Sequence, residues 1–152
     1  MKNIIFSILL MSLSLNLMYS QKYVEMKKIN GVYQIPCKVN GIPMNFIFDT
    51  GASDVTISLV EAKFLIKQGL LNKEDFRENI NYSLADGSIL EGTKINLKSI
   101  EIGGIYLKNI TASVINKQNA PLLLGQSAIS KLGTYSINGN QLILSSNQTA
   151  TI

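Results

Sequence analysis

The sequence predicts a small all-β domain, either a barrel or a sandwich, with one helical insertion. Short segments alternate between apolar and polar residues, which is typical of strands that bury one face. Asn40-Gly41 and Asp86-Gly87 separate such segments, and these pairs favour tight hairpin turns. With 152 residues, the chain is long enough for one domain with its own core.

The first twenty residues have the composition of a secretory signal peptide. Lys2 precedes an apolar run over residues 4–18, and polar residues begin at Ser20. The run is shorter than the roughly 20 apolar residues that span a bilayer. We therefore expect residues 1–20 to be removed and the chain to be exported, into the periplasm or the medium. The alternative is a membrane anchor formed by residues 4–18.

The N-terminal half of the mature chain begins with a predicted strand pair. Residues 21–29 are interpreted as an N-terminal extension, followed by a strand from Tyr33 to Val39 and a return strand from Ile42 to Phe48. Pro36 has no N–H for a ladder hydrogen bond, so the first of these strands is expected to lie at an edge, at least locally.

A helix is predicted to begin at Ser58, because Ser58 and Glu61 have the spacing of a capping box. Gly69 is a natural end for it. Its buried face is expected to consist of Leu59, Ala62, Leu65 and Ile66. A second short helix follows Asn72, so that the helical insertion covers residues 58–79.

The rest of the chain is predicted to return to strands. Strands are expected at residues 81–85, 89–97, 105–110, 112–115, 122–124, 134–137 and 141–144. A short helix is expected at residues 127–132. The polar tail, residues 145–152, is expected to be frayed.

Composition excludes most hydrolytic machinery. The chain has no histidine, which rules out Ser-His-Asp and Cys-His nucleophiles and histidine-based zinc sites. Its single cysteine, Cys37, allows neither an internal disulfide nor a cysteine-rich metal site. The net charge of +4 is scattered, so we predict no nucleic-acid surface. No metal or cofactor is expected, and the chemistry is left to carboxylates, hydroxyls, lysines or backbone.

The most informative carboxylate is that of Asp49, directly after an apolar strand. A carboxylate in that position is costly to bury unless it is hydrogen-bonded or functional. Gly51 permits a tight backbone turn, and Thr50 offers a hydroxyl that can brace a neighbour. A plain turn is the other interpretation of this segment.

Three motifs follow one another along the chain: Asp49-Thr50-Gly51-Ala52-Ser53, the predicted turn Ala85-Asp86-Gly87-Ser88, and Leu123-Leu124-Gly125. In this order they resemble the retropepsin-like aspartic proteases, and especially the small exported bacterial members. The resemblance covers residues 30–144. It implies a small closed barrel with a catalytic Asp49, active-site support from residues 50–53 and 123–125, and a flap at residues 85–88.

The resemblance also implies a homodimer that acts on polypeptides. The chemistry of this family needs two carboxylates, which share one proton when they are held close together. The ionised one takes a proton from the attacking water, and the other donates to the substrate. This chain has one Asp-Thr-Gly, so Asp49 of two copies would meet on a twofold axis. Thr50 would then reach the partner's backbone, and the C-terminal strand would contribute to the interface.

Two other functions stay open at this point. The first is a catalytically silent module of the same shape that dimerises or binds peptide strands. The second is a hydrolase with a serine–lysine dyad, because Gly125-Gln126-Ser127-Ala128 has half of a nucleophile elbow, although its final glycine is missing.

Overall fold

The computed structural model describes residues 20–83 and 87–146, and this part of the chain is mostly β. The strands are β1 (Ser20–Glu25), β2 (Lys27–Ile29), β3 (Val32–Val39), β4 (Ile42–Phe48), β5 (Val55–Ser58), β6 (Phe76–Ser83), β7 (Ile89–Ile102), β8 (Ile105–Ile115), β9 (Leu123–Leu124), β10 (Tyr135–Asn138) and β11 (Gln141–Ser146). The helices are α1 (Leu59–Lys67) and α2 (Gln126–Ile129), with 3-10 turns at Lys73–Asp75 and Ser130–Leu132. Within the described residues, no helix is both long and apolar enough to cross a membrane.

Some predicted features lie outside the described residues. These are the signal peptide up to residue 19, Ala85 and Asp86 of the flap, and residues 147–152 of the tail. The predicted all-β class is confirmed for the part of the chain that is described.

The strands form two sheets. Eight strands have the order β2-β3-β4-β9-β5-β8-β7-β6, and three have the order β1-β11-β10. In addition, β3 pairs with β7 through Lys38 opposite Glu101 and Val39 opposite Ile100. These pairings connect β3, β4, β9, β5, β8 and β7 in one continuous circuit. Its interior is a single apolar core to which most strands contribute fully buried side chains, among them Ile35, Phe46, Ile57, Ile95, Leu97, Ile110 and Leu124.

The β3–β4 hairpin forms as predicted. Asn40 and Gly41 both have positive φ angles, 47° and 88°, which suits the right-handed twist of the two strands. Pro36 occupies a local edge, as expected: β2 pairs with β3 up to Gln34, and β7 pairs with it from Lys38. The proline therefore lies between the ends of two ladders, where a missing N–H costs little.

Helix α1 begins where the sequence predicts. The Ser58 hydroxyl accepts from the Val60 N–H at 3.1 Å and donates to the Glu61 carboxylate. The buried face consists of Ala62 and Leu65. The prediction is wrong for Ile66, which is 47% exposed. A helix of nine residues on one sheet buries a narrow stripe, and Ile66 is rotated by about 100° from its buried neighbour.

The helical insertion is shorter than the predicted 58–79. The 3-10 turn at Lys73–Asp75 takes the place of the predicted second helix, but β6 already begins at Phe76. Phe76 pairs with Ile95 of β7, and a register shift follows before Asn79. Pairing with a long neighbouring strand decides the conformation of these residues, which sequence propensity alone leaves ambiguous.

Both ends of the described chain form strands. Residues 21–29, predicted as an extension, contribute to β1 and β2, and β1 pairs with β11 from Ser20 opposite Ser146 to Glu25 opposite Gln141. The expectation of a frayed tail is wrong for Ser145 and Ser146, because β1 supplies their ladder partners. Residues 147–152 lie outside the described part.

Cys37 should be chemically silent in the folded protein. It is 3% exposed, and burial raises the pKa of its thiol to about 12. Because the thiolate is the reactive form, native protein near pH 8 should react with dithionitrobenzoate at least about a hundredfold more slowly than protein unfolded in urea. Glutathione under both conditions is the control. Native and unfolded rates within threefold of each other would contradict the burial.

Candidate functional site

The two-residue strand β9 is inserted between β4 and β5. It pairs parallel with β4, Ile47 lying opposite Leu123 and Phe48 opposite Leu124. It pairs antiparallel with β5, where Thr56 lies opposite Leu123. The end of β4, which precedes Asp49, is thus hydrogen-bonded to β9, a segment about 75 residues later in the sequence.

Asp49 is the first residue after β4, and the backbone of its own loop orients its carboxylate. The Asp49 N–H donates to the carbonyl oxygen of Leu124 at 3.1 Å. The Gly51 N–H donates to Oδ1 of Asp49 at 2.9 Å. A Cβ at position 51 would lie 3.3 Å from that same oxygen, so glycine leaves room for the carboxylate. The side chain is only partly buried, which leaves it within reach of water.

Gly125, directly after β9, allows the main chain of the Asp49 loop to pass over it. A Cβ at this position would lie 2.2 Å from the Asp54 carbonyl oxygen and 2.8 Å from that of Ala52. The φ of Gly125 is −95°, which any residue adopts. Close backbone approach, and not backbone conformation, therefore requires glycine here.

Gln126 holds the other side of the loop, and the sequence analysis missed it. Its Nε2 donates to the Thr50 carbonyl oxygen at 2.9 Å, and its N–H donates to that of Ala52 at 2.8 Å. Its position directly after Gly125 is the one signal in the sequence that points to it. The loop is thus hydrogen-bonded to Leu124 at Asp49 and to Gln126 at Thr50 and Ala52.

Ser127 is a structural support in this fold. Its hydroxyl donates to the Thr111 carbonyl oxygen at 2.7 Å and accepts from the Val55 N–H at 3.0 Å. Its N–H donates to the Ser53 carbonyl oxygen at 2.9 Å. Lys131, one helical turn further on, donates instead to two backbone carbonyls of the β8 region. Ser127, the candidate nucleophile of the serine–lysine alternative, is thus bonded to backbone, and so is the nearby Lys131.

A polar cluster adjoins the loop at Asp54, which the sequence analysis also missed. Oδ2 of Asp54 lies 3.3 Å from the hydroxyl oxygens of both Tyr82 and Ser113, and Lys94 Nζ lies 3.9 Å away. The two hydroxyls are also hydrogen-bonded to each other, so one of them donates to the other and the second donates to the carboxylate. Burial is the main cause of a raised pKa for Tyr82, so its phenol stays neutral. The cluster members are too far apart in sequence for a motif to reveal them.

The predicted support residues come together, whereas the predicted flap is described only in part. Gly51 and Leu124 hydrogen-bond to Asp49 directly. The carbonyl oxygens of residues 50, 52 and 53 accept from Gln126 and Ser127, which follow Gly125. Leu123 pairs with β4 and β5. The strands β6 and β7 pair antiparallel, and their last pair is Ser83 opposite Ile89. Gly87 has a φ of 81°, as a turn glycine does, while Ala85 and Asp86 lie outside the described residues.

Charged side chains form an ion pair between β3 and β7. Lys38 pairs with Glu101 at 3.1 Å, and the hydrogen bond from this ammonium lowers the pKa of the Glu101 carboxyl. Across residues 20–83 and 87–146, no three Cys, Asp or Glu side chains form a group that could hold a metal ion.

The sequence and the fold are both similar to those of known proteins. The family described as "gag-polyprotein putative aspartyl protease" matches residues 35–131. A retropepsin-like aspartic protease from Rickettsia conorii superimposes with a TM-score of 0.62 at 26% identity, covering 82% of this chain and 98% of that one. The EIAV protease complexed with the inhibitor HBY-793 gives a TM-score of 0.54 at 16% identity, covering 74% and 98%, a likeness of fold alone.

A longer bacterial protein is also related. It is an uncharacterized protein in the cobV 5′ region of Sinorhizobium sp, 29% identical over 125 residues. The match covers 82% of this chain but only 52% of the relative, so the chain spans about half of the relative's length.

Replacing Gly125 by alanine should disrupt the loop. The new methyl group would meet two backbone carbonyls that cannot rotate away, so we expect a loss of about 3 kcal/mol in the free energy of unfolding. The matched control is Gly139→Ala, at a turn with a φ of 58° and open space around the Cβ, which should lose only about 1 kcal/mol. Urea unfolding followed by circular dichroism measures both. Equal losses would show that the close approach at Gly125 is not a constraint.

Proposed function

Because the chain belongs to the retropepsin-like aspartic protease family, we propose that it is an aspartic endopeptidase whose reacting group is the Asp49 carboxylate. One observation supports Asp49 as the reacting residue. Asp49 is held by the Leu124 carbonyl and the Gly51 N–H, while its side chain stays partly open to solvent. A fixed, accessible carboxylate is what activation of a water molecule requires.

The proposed chemistry uses two copies of this carboxylate. Two carboxylates held close together cannot both ionise, so they share one proton. The ionised Asp49 removes a proton from a water molecule as its oxygen attacks the peptide carbonyl carbon. The protonated Asp49 of the other copy donates to the carbonyl oxygen, so that charge is neutralised as the tetrahedral centre forms. One chain carries a single Asp-Thr-Gly, and the second carboxylate must therefore come from a second copy.

The exposed side of the loop supports such an arrangement. Thr50 and Gly51, the two residues after Asp49, are exposed. We propose that these residues meet their equivalents across a twofold axis. The strand β11 lies between β1 and β10, so a strand from a partner could pair only with β1 or β10 of this sheet. Any contribution of β11 to the interface would come from its side chains.

The proposed substrate is a polypeptide bound in extended form between the loop and the β6–β7 hairpin. Neither a nucleic acid nor a cofactor is part of the proposal. Export and cleavage after Ser20 stay predictions from the sequence of residues 1–20, and membrane attachment would follow only if that segment were retained.

Asp49→Asn should abolish peptide cleavage without unfolding the protein. Asparagine keeps an oxygen that can accept from the Gly51 N–H but cannot act as a base, so we expect a loss of about a thousandfold or more in kcat/KM. The free energy of unfolding should change by less than about 1 kcal/mol. Hydrolysis of a peptide library, read by mass spectrometry, is the measurement.

The matched control for Asp49→Asn is Glu74→Gln, which removes one negative charge from an exposed residue. It should retain wild-type cleavage. Equal cleavage by wild type and Asp49→Asn would overturn the enzyme assignment and favour a module that binds without turnover.

Mixing experiments should reveal whether two copies share one site. If wild-type protein is refolded with a ninefold excess of Asp49→Asn, only about a tenth of wild-type chains should pair with each other, and activity per wild-type chain should fall about tenfold. Wild type refolded alone at the same total concentration is the control. Undiminished activity per wild-type chain would mean that one Asp49 is sufficient and would contradict the shared site.

A further inference from the structure

We propose that Tyr82, Ser113 and Lys94, gathered on the carboxylate of Asp54, are positioning residues that hold strand β6 against the loop that carries Asp49. This set is called the latch below. The proposal rests on the proposed peptidase function, since β6 is one strand of the hairpin expected to flank the substrate. The latch touches neither substrate nor reacting atoms, and it acts through the placement of β6.

Strand β6 needs such a tie because it is the outermost strand of the eight-stranded sheet. Among the strands of residues 20–83 and 87–146, its backbone pairs with β7 alone. Tyr82 is the last residue but one of β6, directly before the final pair of Ser83 with Ile89. The end of an edge strand is where a ladder opens most easily. A side-chain anchor has its largest effect at this position.

The latch joins three strands at one oxygen atom. The hydroxyl oxygens of Tyr82 (β6) and Ser113 (β8) both lie 3.3 Å from Oδ2 of Asp54, and Lys94 of β7 approaches the same atom. The two hydroxyls are bonded to each other, so one donates to the other and the second donates to the carboxylate. Ser113 is buried, and the side chains of Lys94 and Asp54 are 27% and 15% exposed. Hydrogen bonds to a carboxylate are stronger than neutral ones, and partial exclusion of water strengthens them further.

Gly92 makes the reach of Tyr82 possible. Gly92 belongs to β7, the strand between β6 and β8, and it pairs with Ile80 on one side and Ile115 on the other. A Cβ at position 92 would lie 3.3 Å from Cε2 of Tyr82 and 2.9 Å from the Val114 carbonyl oxygen. The tyrosine ring therefore lies across the space that a side chain of β7 would fill. This packing is independent of the hydrogen bonds and places the hydroxyl over β8.

The main chain of Asp54, to which the latch ties β6, is itself held in place by close packing. The Asp54 main chain passes over Gly125 with no room for a side chain between them. Gly125 follows Leu124, whose carbonyl oxygen accepts from the Asp49 N–H. A displacement of Asp54 would thus disturb the support of Asp49. The contacts from Tyr82 through Asp54 and Gly125 to Leu124 therefore connect β6 to the support of the Asp49 carboxylate.

Tyr82→Phe tests the proposal, because it keeps the ring against Gly92 and removes only the hydroxyl. Hydrogen–deuterium exchange of the purified protein should show amides of residues 80–83 exchanging about tenfold faster than in wild type, with exchange in β3 and β4 unchanged. For a cleaved peptide, KM should rise about fivefold and kcat should change less than twofold, because binding is weakened while Asp49 is untouched.

The matched control is Tyr106→Phe, which removes the hydroxyl of a tyrosine that is 66% exposed on β8. It should change neither the exchange of residues 80–83 nor KM. Faster exchange specific to Tyr82→Phe, together with the rise in KM, supports the latch.

Two results would overturn the proposal. Unchanged exchange in Tyr82→Phe would show that the hydroxyl does not hold β6, whether or not the protein cleaves peptides. Faster exchange with an unchanged KM would show that the latch does not position β6 for substrate. An inactive wild-type protein would instead contradict the proposed function, and exchange would still decide whether the latch exists.

Discussion

The insertion of β9 between β4 and β5 is the constraint on which the rest of the site depends. Two residues, Leu123 and Leu124, separate strands that would otherwise be neighbours, and they bond to both. Because β9 runs parallel to β4, the carbonyl oxygens of Leu122 and Leu124 accept from the N–H groups of Ile47 and Asp49. The chain must then turn away under the loop, and Gly125 is the residue that makes the turn sterically possible. The carboxylate, the loop and the start of α2 are placed by this single arrangement.

Backbone groups do most of the positioning in this site. Asp49 is oriented by an N–H of its own loop, and the loop is held by Gln126 and Ser127 through main-chain carbonyls. Such contacts have fixed geometry and lose little conformational entropy on folding compared with long side chains. Charged side chains are used further out, at the Lys38–Glu101 pair that joins β3 to β7 and at the Asp54 cluster. The Asp49 carboxylate is thus partly open to solvent and supported by backbone.

The hairpin and the cap could be predicted from the sequence because each is a local feature. Asn40-Gly41 has the positive φ angles that a tight turn needs, and the Ser58 hydroxyl caps α1 with only its nearest neighbours. Errors arose where the outcome depended on distant partners. Ile66 is exposed because α1 contacts the sheet along a narrow stripe, and β6 begins early because β7 extends far enough to pair with Phe76. Ser145 and Ser146 belong to a strand because β1, at the other end of the described chain, pairs with them.

The sequence by itself determined the class of the fold, the family resemblance and the identity of the candidate carboxylate. These could be predicted because the apolar–polar alternation, the hairpin dipeptides and the Asp-Thr-Gly tripeptide are each formed by consecutive residues. Only the tertiary structure decided what surrounds Asp49: the parallel pairing with β9, the supports at Gln126 and Ser127, and the cluster at Asp54. Those contacts join residues that are tens of positions apart, and the packing of the strands brings them together. The pattern along the chain names the reacting group, and the fold supplies its environment.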